Sequence, residues 1–308
     1  MKNRRSFYDV TNTVDVRNPL EVLDAVYRIF KRLYPRAPFR PVRQAFDDFT
    51  RLYRGQYPNY HACDTPYHDI QHSLDVTLAL MRLIDGHERV QPRALRLGAR
   101  RATTGLVTSL FHDCGYIRHR RDTRHHNGAE FTLNHVERSA RFLMRYLPEI
   151  DMEEEVAIAR KLVHFTGFER DVSRIRLEDP RYQKLGHLVG TADLIAQMAD
   201  RCYVEKCHDF LYEEFRIGGA TRERRPDGSF KILYRSAKDL LRKTPAFYEN
   251  VVRHRLEVIF ERAYEYAGHH FGGRNHYMEE LQRNLRFLRR IIDTGRWDLL
   301  RRVPVAIY

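Results

Sequence analysis

Six side chains on separate stretches of this sequence have the chemistry and the surroundings of metal ligands: His72, His112, Asp113, His135, His164 and Asp193. His72 lies four residues after His68 in Tyr67-His68-Asp69-Ile70-Gln71-His72. On a helix that spacing puts both imidazoles on one face, about 5–6 Å apart at Cβ. Pro66 suits the first turn of such a helix, with Thr65 or Asp64 as its cap. His112 and Asp113 are adjacent at the end of the apolar run Leu110-Phe111, with Gly115 read as a C-terminal stop. A carboxylate buried there is costly unless a cation compensates it, and a metal ion is the simplest compensation. His135 opens another amphipathic stretch, His164 sits on the apolar side of its helix, and Asp193 interrupts the otherwise apolar Ala192-Asp193-Leu194-Ile195. Helices aiming these groups at one centre present four imidazoles and two carboxylates. That donor set suits two divalent ions such as Mn, Fe, Zn or Mg.

Three other groups have weaker claims. The stretch Arg124-His125-His126-Asn127-Gly128-Ala129-Glu130 reads first as a solvated loop, with His126 and Glu130 as candidates to line the pocket as a lid. Gln197 and Asp200 follow Asp193 by four and seven residues, so both share its helix face and Gln197 is a candidate substrate contact. His269-His270-Phe271-Gly272-Gly273 and Asn275-His276-Tyr277 read mainly as a glycine-broken helix junction.

The elements that must position these groups are almost all helices. Pro19–Leu33 carries apolar residues at three-four spacing behind the N-cap Asn18. Similar patterns predict helices over 42–53, 70–83, 93–111, 131–146, 153–165, 185–215, 245–267 and 276–294. Period-2 alternation is nearly missing. One small hairpin is expected over Arg222–Tyr234, around Pro226-Asp227-Gly228-Ser229. No repeat and no long linker divides the chain. The expected fold class is therefore all-α: one compact multi-helix domain over residues 1–308, with the metal-site core in 61–215 and helical extensions in 1–60 and 216–308 packed on it.

A chain of 308 residues that is 43% hydrophobic is neither disordered nor fibrous, and it can bury a sizeable core. No run approaches a membrane span, and no apolar segment follows the charged N-terminus, so a cytoplasmic protein is expected. Cys63, Cys114, Cys202 and Cys207 form no CxxC pair and read as reduced, partly buried thiols. The formal net charge of +13 draws anions, whether nucleotides, nucleic acid or acidic headgroups. Runs such as 93–101 and 118–124 lack interleaved aromatics and read as solvated faces.

The order His72, then His112-Asp113, then Asp193 is the H…HD…D signature and resembles the HD-domain metal-dependent phosphohydrolase superfamily. Tyr67-His68-Asp69-Ile70-Gln71-His72-Ser73-Leu74-Asp75-Val76 is similar to the YHNxxHAxDV motif that opens class I cyclic-nucleotide phosphodiesterases, with Asp69 in place of Asn. His135, with Ser139-Ala140, and then His164 resemble the additional ligands of binuclear members such as the HD-GYP phosphodiesterases. The resemblance covers roughly residues 61–215. It implies an HD-domain, phosphodiesterase-like helical bundle in which Asp113 bridges two metals. His72, His112 and Asp193 would complete one ligand set, and His135 and His164 would hold the second ion. His68 would be the acid that protonates the leaving oxygen, and nearby Arg would neutralise phosphoryl charge. The implied reaction is hydrolysis of a small anionic phosphoester, a nucleotide foremost, by a metal-bridging hydroxide. Departures concern the substrate. Phe165-Thr166-Gly167-Phe168 replaces the second His and GYP, Cys114-Gly115-Tyr116-Ile117-Arg118-His119 follows the HD pair, and the C-terminal helices hold no counterpart of the purine-clamping Gln. Two alternatives stand beside this reading. One is an HD-superfamily di-iron oxygenase using the same six ligands; the other is a non-catalytic, basic nucleic-acid-binding protein.

Overall fold

The computed structural model describes residues 4–304. Its first elements follow the sequence pattern closely. Helix α1 (Pro19–Leu33) starts where the Asn18 side chain accepts from the Leu20 N–H, and α2 (Arg40–Tyr53) buries Phe46, Phe49 and Leu52 along one face. Helix α3 (Ile70–Val90) is different in kind, because every residue from Ile70 to Glu88 is buried. An all-round buried helix belongs at the centre of a domain, and α3 packs on α1, on α4 (Gly98–Leu110) and on two later helices.

The chain then passes through α5 (His135–Tyr146) and the short α6 (Val156–Leu162) to the second central helix, α7 (Pro180–Ala199), whose residues Leu185–Ala196 are buried all round and which packs against α3. Beyond α7, α8 (Tyr203–Lys206) runs through a wide π turn, Cys207–Leu211, into α9 (Tyr212–Ile217). The expected hairpin is present as two antiparallel strands, β1 (Arg222–Arg224) and β2 (Phe230–Ile232), in the register Glu223↔Lys231. Helices α10 (Ala237–Phe247), α11 (Glu265–His270) and α12 (His276–Thr294) close the fold, α11 against α3 and α12 against α7.

The fold is all-α apart from that hairpin. One apolar cluster extends from Val10 to Leu288, so residues of both extensions share a core with the central helices. Polar clamps reinforce this. Buried Arg82 of α3 donates to Asp9 (2.5 Å) and to the Tyr277 hydroxyl (2.8 Å), while Asn284 of α12 donates to the Met198 and Asp200 carbonyls that end α7. All four cysteines are buried and free, as expected. Among the described residues no helix is long and apolar enough to cross a membrane.

Three expected boundaries are corrected. The helix predicted over 93–111 begins only at Gly98, whose φ of +77° follows a separate turn at Arg93–Leu95. The helix predicted over 185–215 breaks after Ala199, where Asp200 turns out of helical geometry. The helix predicted over 245–267 is neither so placed nor continuous. Its first turns belong to α10, which starts at the Ser236 cap and accommodates Pro245, and the chain breaks at Glu261 and Arg262, both with positive φ. Nothing in those two residue types announces a left-handed turn.

Candidate metal centre

Helix α3 starts at Ile70, with Asp69 as its N-cap accepting from the His72 N–H at 3.0 Å. Pro66, Tyr67 and His68 therefore precede the helix, and the expected cap at Thr65 or Asp64 is not used. His68 and His72 do not share a helical face. Their rings are nevertheless 5.7 Å apart, because the turn before α3 folds His68 back toward the helix start. The Asp found where the resembling motif has Asn serves as this cap, a role that either residue fills.

Helix α4 ends at Leu110, so His112 and Asp113 sit on the tight turn that follows it. That turn presents both side chains to the start of α3 and the middle of α7. His72 Nε2 lies 3.2 Å from Asp113 Oδ2 and 3.3 Å from Asp193 Oδ1; His112 Nε2 lies 3.1 Å from Asp113 Oδ2 and 3.3 Å from His72 Nε2. All four residues are more than nine-tenths buried. His135 approaches the other carboxylate oxygen, with Nε2 3.6 Å from Asp113 Oδ1. The two oxygens of Asp113 thus face different imidazoles, as a carboxylate shared by two cations would.

The tautomers point the same way. His112 Nδ1 is 2.7 Å from the Ser109 carbonyl and His135 Nδ1 is 2.8 Å from the Thr132 carbonyl. A carbonyl only accepts, so each Nδ1 carries a proton and each ring turns its Nε2 inward, toward Asp113. Asp113 Oδ2 is buried and receives no hydrogen bond. Ring nitrogens and carboxylates packed this closely in a buried site need positive charge among them, from a proton or a metal ion. His72, His112 and Asp113 accordingly have donor atoms close enough to hold one ion, with Asp193 adjacent. The residues present fit a divalent metal.

A proton competes for the same position. Burial pushes the His72 imidazole down, but Asp113 and Asp193 more than reverse this and push it up to about 10. Burial likewise opposes ionisation of Asp113, yet His112 and His72 hold its carboxyl well below the usual range. Burial pushes His135 down, which keeps that ring neutral and able to ligate. Because His72 stays protonated below about pH 10, a metal ion has to displace that proton. Metal affinity is therefore expected to rise with pH, on the order of tenfold per unit between about pH 6 and about pH 8. Isothermal titration in buffers of different ionisation enthalpy measures the proton released; a pH-independent affinity would contradict the assignment.

The other predicted site residues divide. His164 is buried but turned to carboxylates, its Nδ1 2.8 Å from Glu169 and its Nε2 3.6 Å from Glu137. His68 packs near His72 and His135, 5.7 and 6.0 Å between ring centres, and is held by a residue that sequence reasoning missed. Glu214 of α9, itself buried, accepts from the Tyr67 and His68 N–H groups and lies 2.6 Å from His68 Nδ1. Burial pushes the His68 imidazole down, but Glu214 raises it above its ordinary value. Tyr116, also missed, stacks between His68 (4.6 Å) and His135 (4.3 Å) and fixes both rings. Gln197 lines the pocket, but both ends of its amide are engaged, by the Tyr67 hydroxyl and by Asp193. His126 is exposed; its N–H donates to Glu130, which with Asn127 caps the turn Gly128–Phe131. Neither His126 nor Glu130 is part of the pocket wall, so the expected lid is corrected to a capped surface turn.

Gly115 is not a helix stop either. It lies in the turn Cys114–Tyr116 against α5, and a Cβ there would sit 1.9 Å from the His135 carbonyl oxygen. Gly115→Ala is expected to push α5 outward, costing about 1–3 kcal/mol of stability and drawing His135 away from Asp113. Calorimetry and metal stoichiometry check both effects; an unchanged melting temperature would show that α5 accommodates the methyl group.

An all-helical bundle holding a buried His–His–Asp cluster, with an acidic neighbour and a histidine–glutamate pair facing it, is thus the class of protein the fold and site define. The chain belongs to the Npun_R2479-like family, whose pattern matches residues 121–285, more than half of its length. That match includes His135, His164, Asp193 and Glu214 and leaves His72 and His112-Asp113 outside it. No curated protein and no solved structure matches the chain.

Proposed function

We propose that this protein is a metal-dependent phosphohydrolase of the HD superfamily that cleaves a small phosphoester. The observation that carries the reading is the convergence of His72, His112 and Asp113 beside Asp193, with Asp113 Oδ2 buried and without a donor. His72, His112, Asp113 and Asp193 would hold one ion, and Asp113 and His135 would begin the site for a second. Bound divalent ions supply an acidified water as nucleophile and neutralise phosphoryl charge.

The chain's own residues supply the rest. His68, raised in basicity by Glu214, carries a proton beside the metal ligands and gives it to the leaving oxygen as the P–O bond breaks. Water contributes the oxygen added to phosphorus, so the products are an alcohol and a phosphate. Glu214 holds the His68 ring in place and Tyr116 limits its rotation. Among the described residues no Arg or Lys lines the pocket itself, but Arg255, buried and stacked at 3.8 Å on the Phe168 ring of the pocket wall, interacts electrostatically with Asp193 and is the candidate for the expected phosphate-neutralising Arg.

Elemental analysis of the purified protein, together with a hydrolysis screen of cyclic, linear and monophosphoesters, tests the proposal. Stoichiometric divalent metal with phosphate or monoester release supports it. A second reading, a di-iron oxygenase on the same ligands, is favoured by one observation: the pocket wall is mainly apolar, as an uncharged organic substrate would need. Iron with oxygen consumption and no phosphate release would select that alternative.

A further inference from the structure

The pocket that opens from the metal centre has a volume of about 430 Å³, within the range of small-molecule sites. His68, His72, Asp113, His135 and Asp193 line it at the metal end, and much of its apolar wall comes from segments that sequence reasoning did not connect. Leu211 projects from the π turn, Phe215 from α9, Leu233 from the end of the hairpin, Leu240 and Phe247 from α10, and Phe168 from the loop after α6. The rim is apolar as well. Leu133, Phe168 and Phe247 are 67%, 51% and 37% exposed, and the last two rings stand 5.7 Å apart.

Apart from Glu169 and the Tyr116, Tyr203 and Tyr234 hydroxyls, the wall offers little to read a nucleotide. Thr132, Thr166 and Thr244 each donate their hydroxyl to a backbone carbonyl three or four residues back, and the Gln197 amide is engaged at both ends. Recognition of a base edge or a ribose needs free donors and acceptors, and leaving a ligand's polar groups unpaired in such a pocket is penalised. A di- or triphosphate would need several cations beyond the metal centre, yet among the described residues no Lys or Arg lines the cavity, and the one guanidinium stacked on its wall, Arg255 over Phe168, is shared with Asp193. One charged head group at the metal end and an uncharged, water-averse remainder match what the pocket presents.

We infer that the ligand of this site is a phosphoester of an apolar alcohol, with its hydrocarbon lying along Phe215, Leu233, Leu240 and Phe247. The head-group assignment rests on the phosphohydrolase reading; the hydrocarbon assignment rests on the wall alone. The probes are butyl, hexyl and octyl phosphate with adenosine monophosphate, each titrated calorimetrically into the metal-loaded protein and assayed for phosphate release. Affinity is expected to improve roughly threefold to fourfold per methylene until the cavity is full, with octyl phosphate bound at least tenfold tighter than adenosine monophosphate. Phe247→Ser and Phe168→Ser, both on the exposed rim and compatible with folding, are expected to flatten the chain-length series through KM or Kd and not through kcat. A series that binds with this slope and is not cleaved overturns the hydrolase reading and supports the ligand class. Cleavage with no chain-length dependence, or with adenosine monophosphate preferred, overturns the ligand class and leaves the hydrolase. Absence of binding by every alkyl phosphate also overturns the inference.

Discussion

Asp113→Asn is expected to remove metal from the protein and to lower phosphoester hydrolysis by about a thousandfold or more. The magnitude follows from the place of this carboxylate. Its Oδ2 faces His72 and His112 and its Oδ1 faces His135, so one substitution weakens both proposed ion positions. Charge stabilisation by metal ions is worth several kcal/mol, and about 4 kcal/mol corresponds to roughly 10³ in rate. The amide also introduces an N–H donor among inward ring nitrogens without restoring the negative charge. The protein should stay folded, because Asn is nearly the same shape as Asp and the surrounding helices share one apolar core. Metal analysis, circular dichroism and the rate together check the prediction. A folded variant that keeps both its metal and its rate would place the chemistry elsewhere.

The second large effect concerns the acid. His68→Ala is expected to reduce the rate by roughly 10²–10⁴ for an alkyl leaving group and far less for p-nitrophenolate, which departs without a proton. Metal content should be unchanged, since His68 belongs to neither proposed ion position. Glu214→Gln gives the complementary test. It keeps a group able to accept from the Tyr67 and His68 N–H groups but removes the charge that raises His68. A raised pKa keeps the acid form populated to higher pH, so losing the charge must move the alkaline limb of the rate profile toward acid. An unchanged limb, or an equal loss for both leaving groups, would remove His68 from the acid role.

The Glu214 contact also shows where local sequence stops being informative. His68 and Glu214 lie 146 residues apart, and the neighbouring Glu213 is the same residue type, paired instead with Arg216 at the surface. Only the phase of the helix after the π turn Cys207–Leu211 decides which of the two carboxylates faces inward. The reverse holds for His112-Asp113 and Asp193. Ionisable groups set in apolar runs are legible as compensated groups, because leaving them buried and alone is too costly.

By itself the sequence determined the helical class, through apolar residues recurring at three-four spacing, and the hairpin at Arg222–Tyr234. It also singled out His72, His112, Asp113 and Asp193, ionisable groups in apolar runs that the structure brings together in one buried cluster. Only the tertiary structure decided the rest. It moved His68 off the helix and onto Glu214, turned His164 toward Glu169 and Glu137, freed the pocket of His126, and built an apolar wall from the loop after α6 and several segments between α8 and α10. Periodicity records which face of an element is buried. It holds no record of which buried faces meet, and the ligand pocket is made where they do.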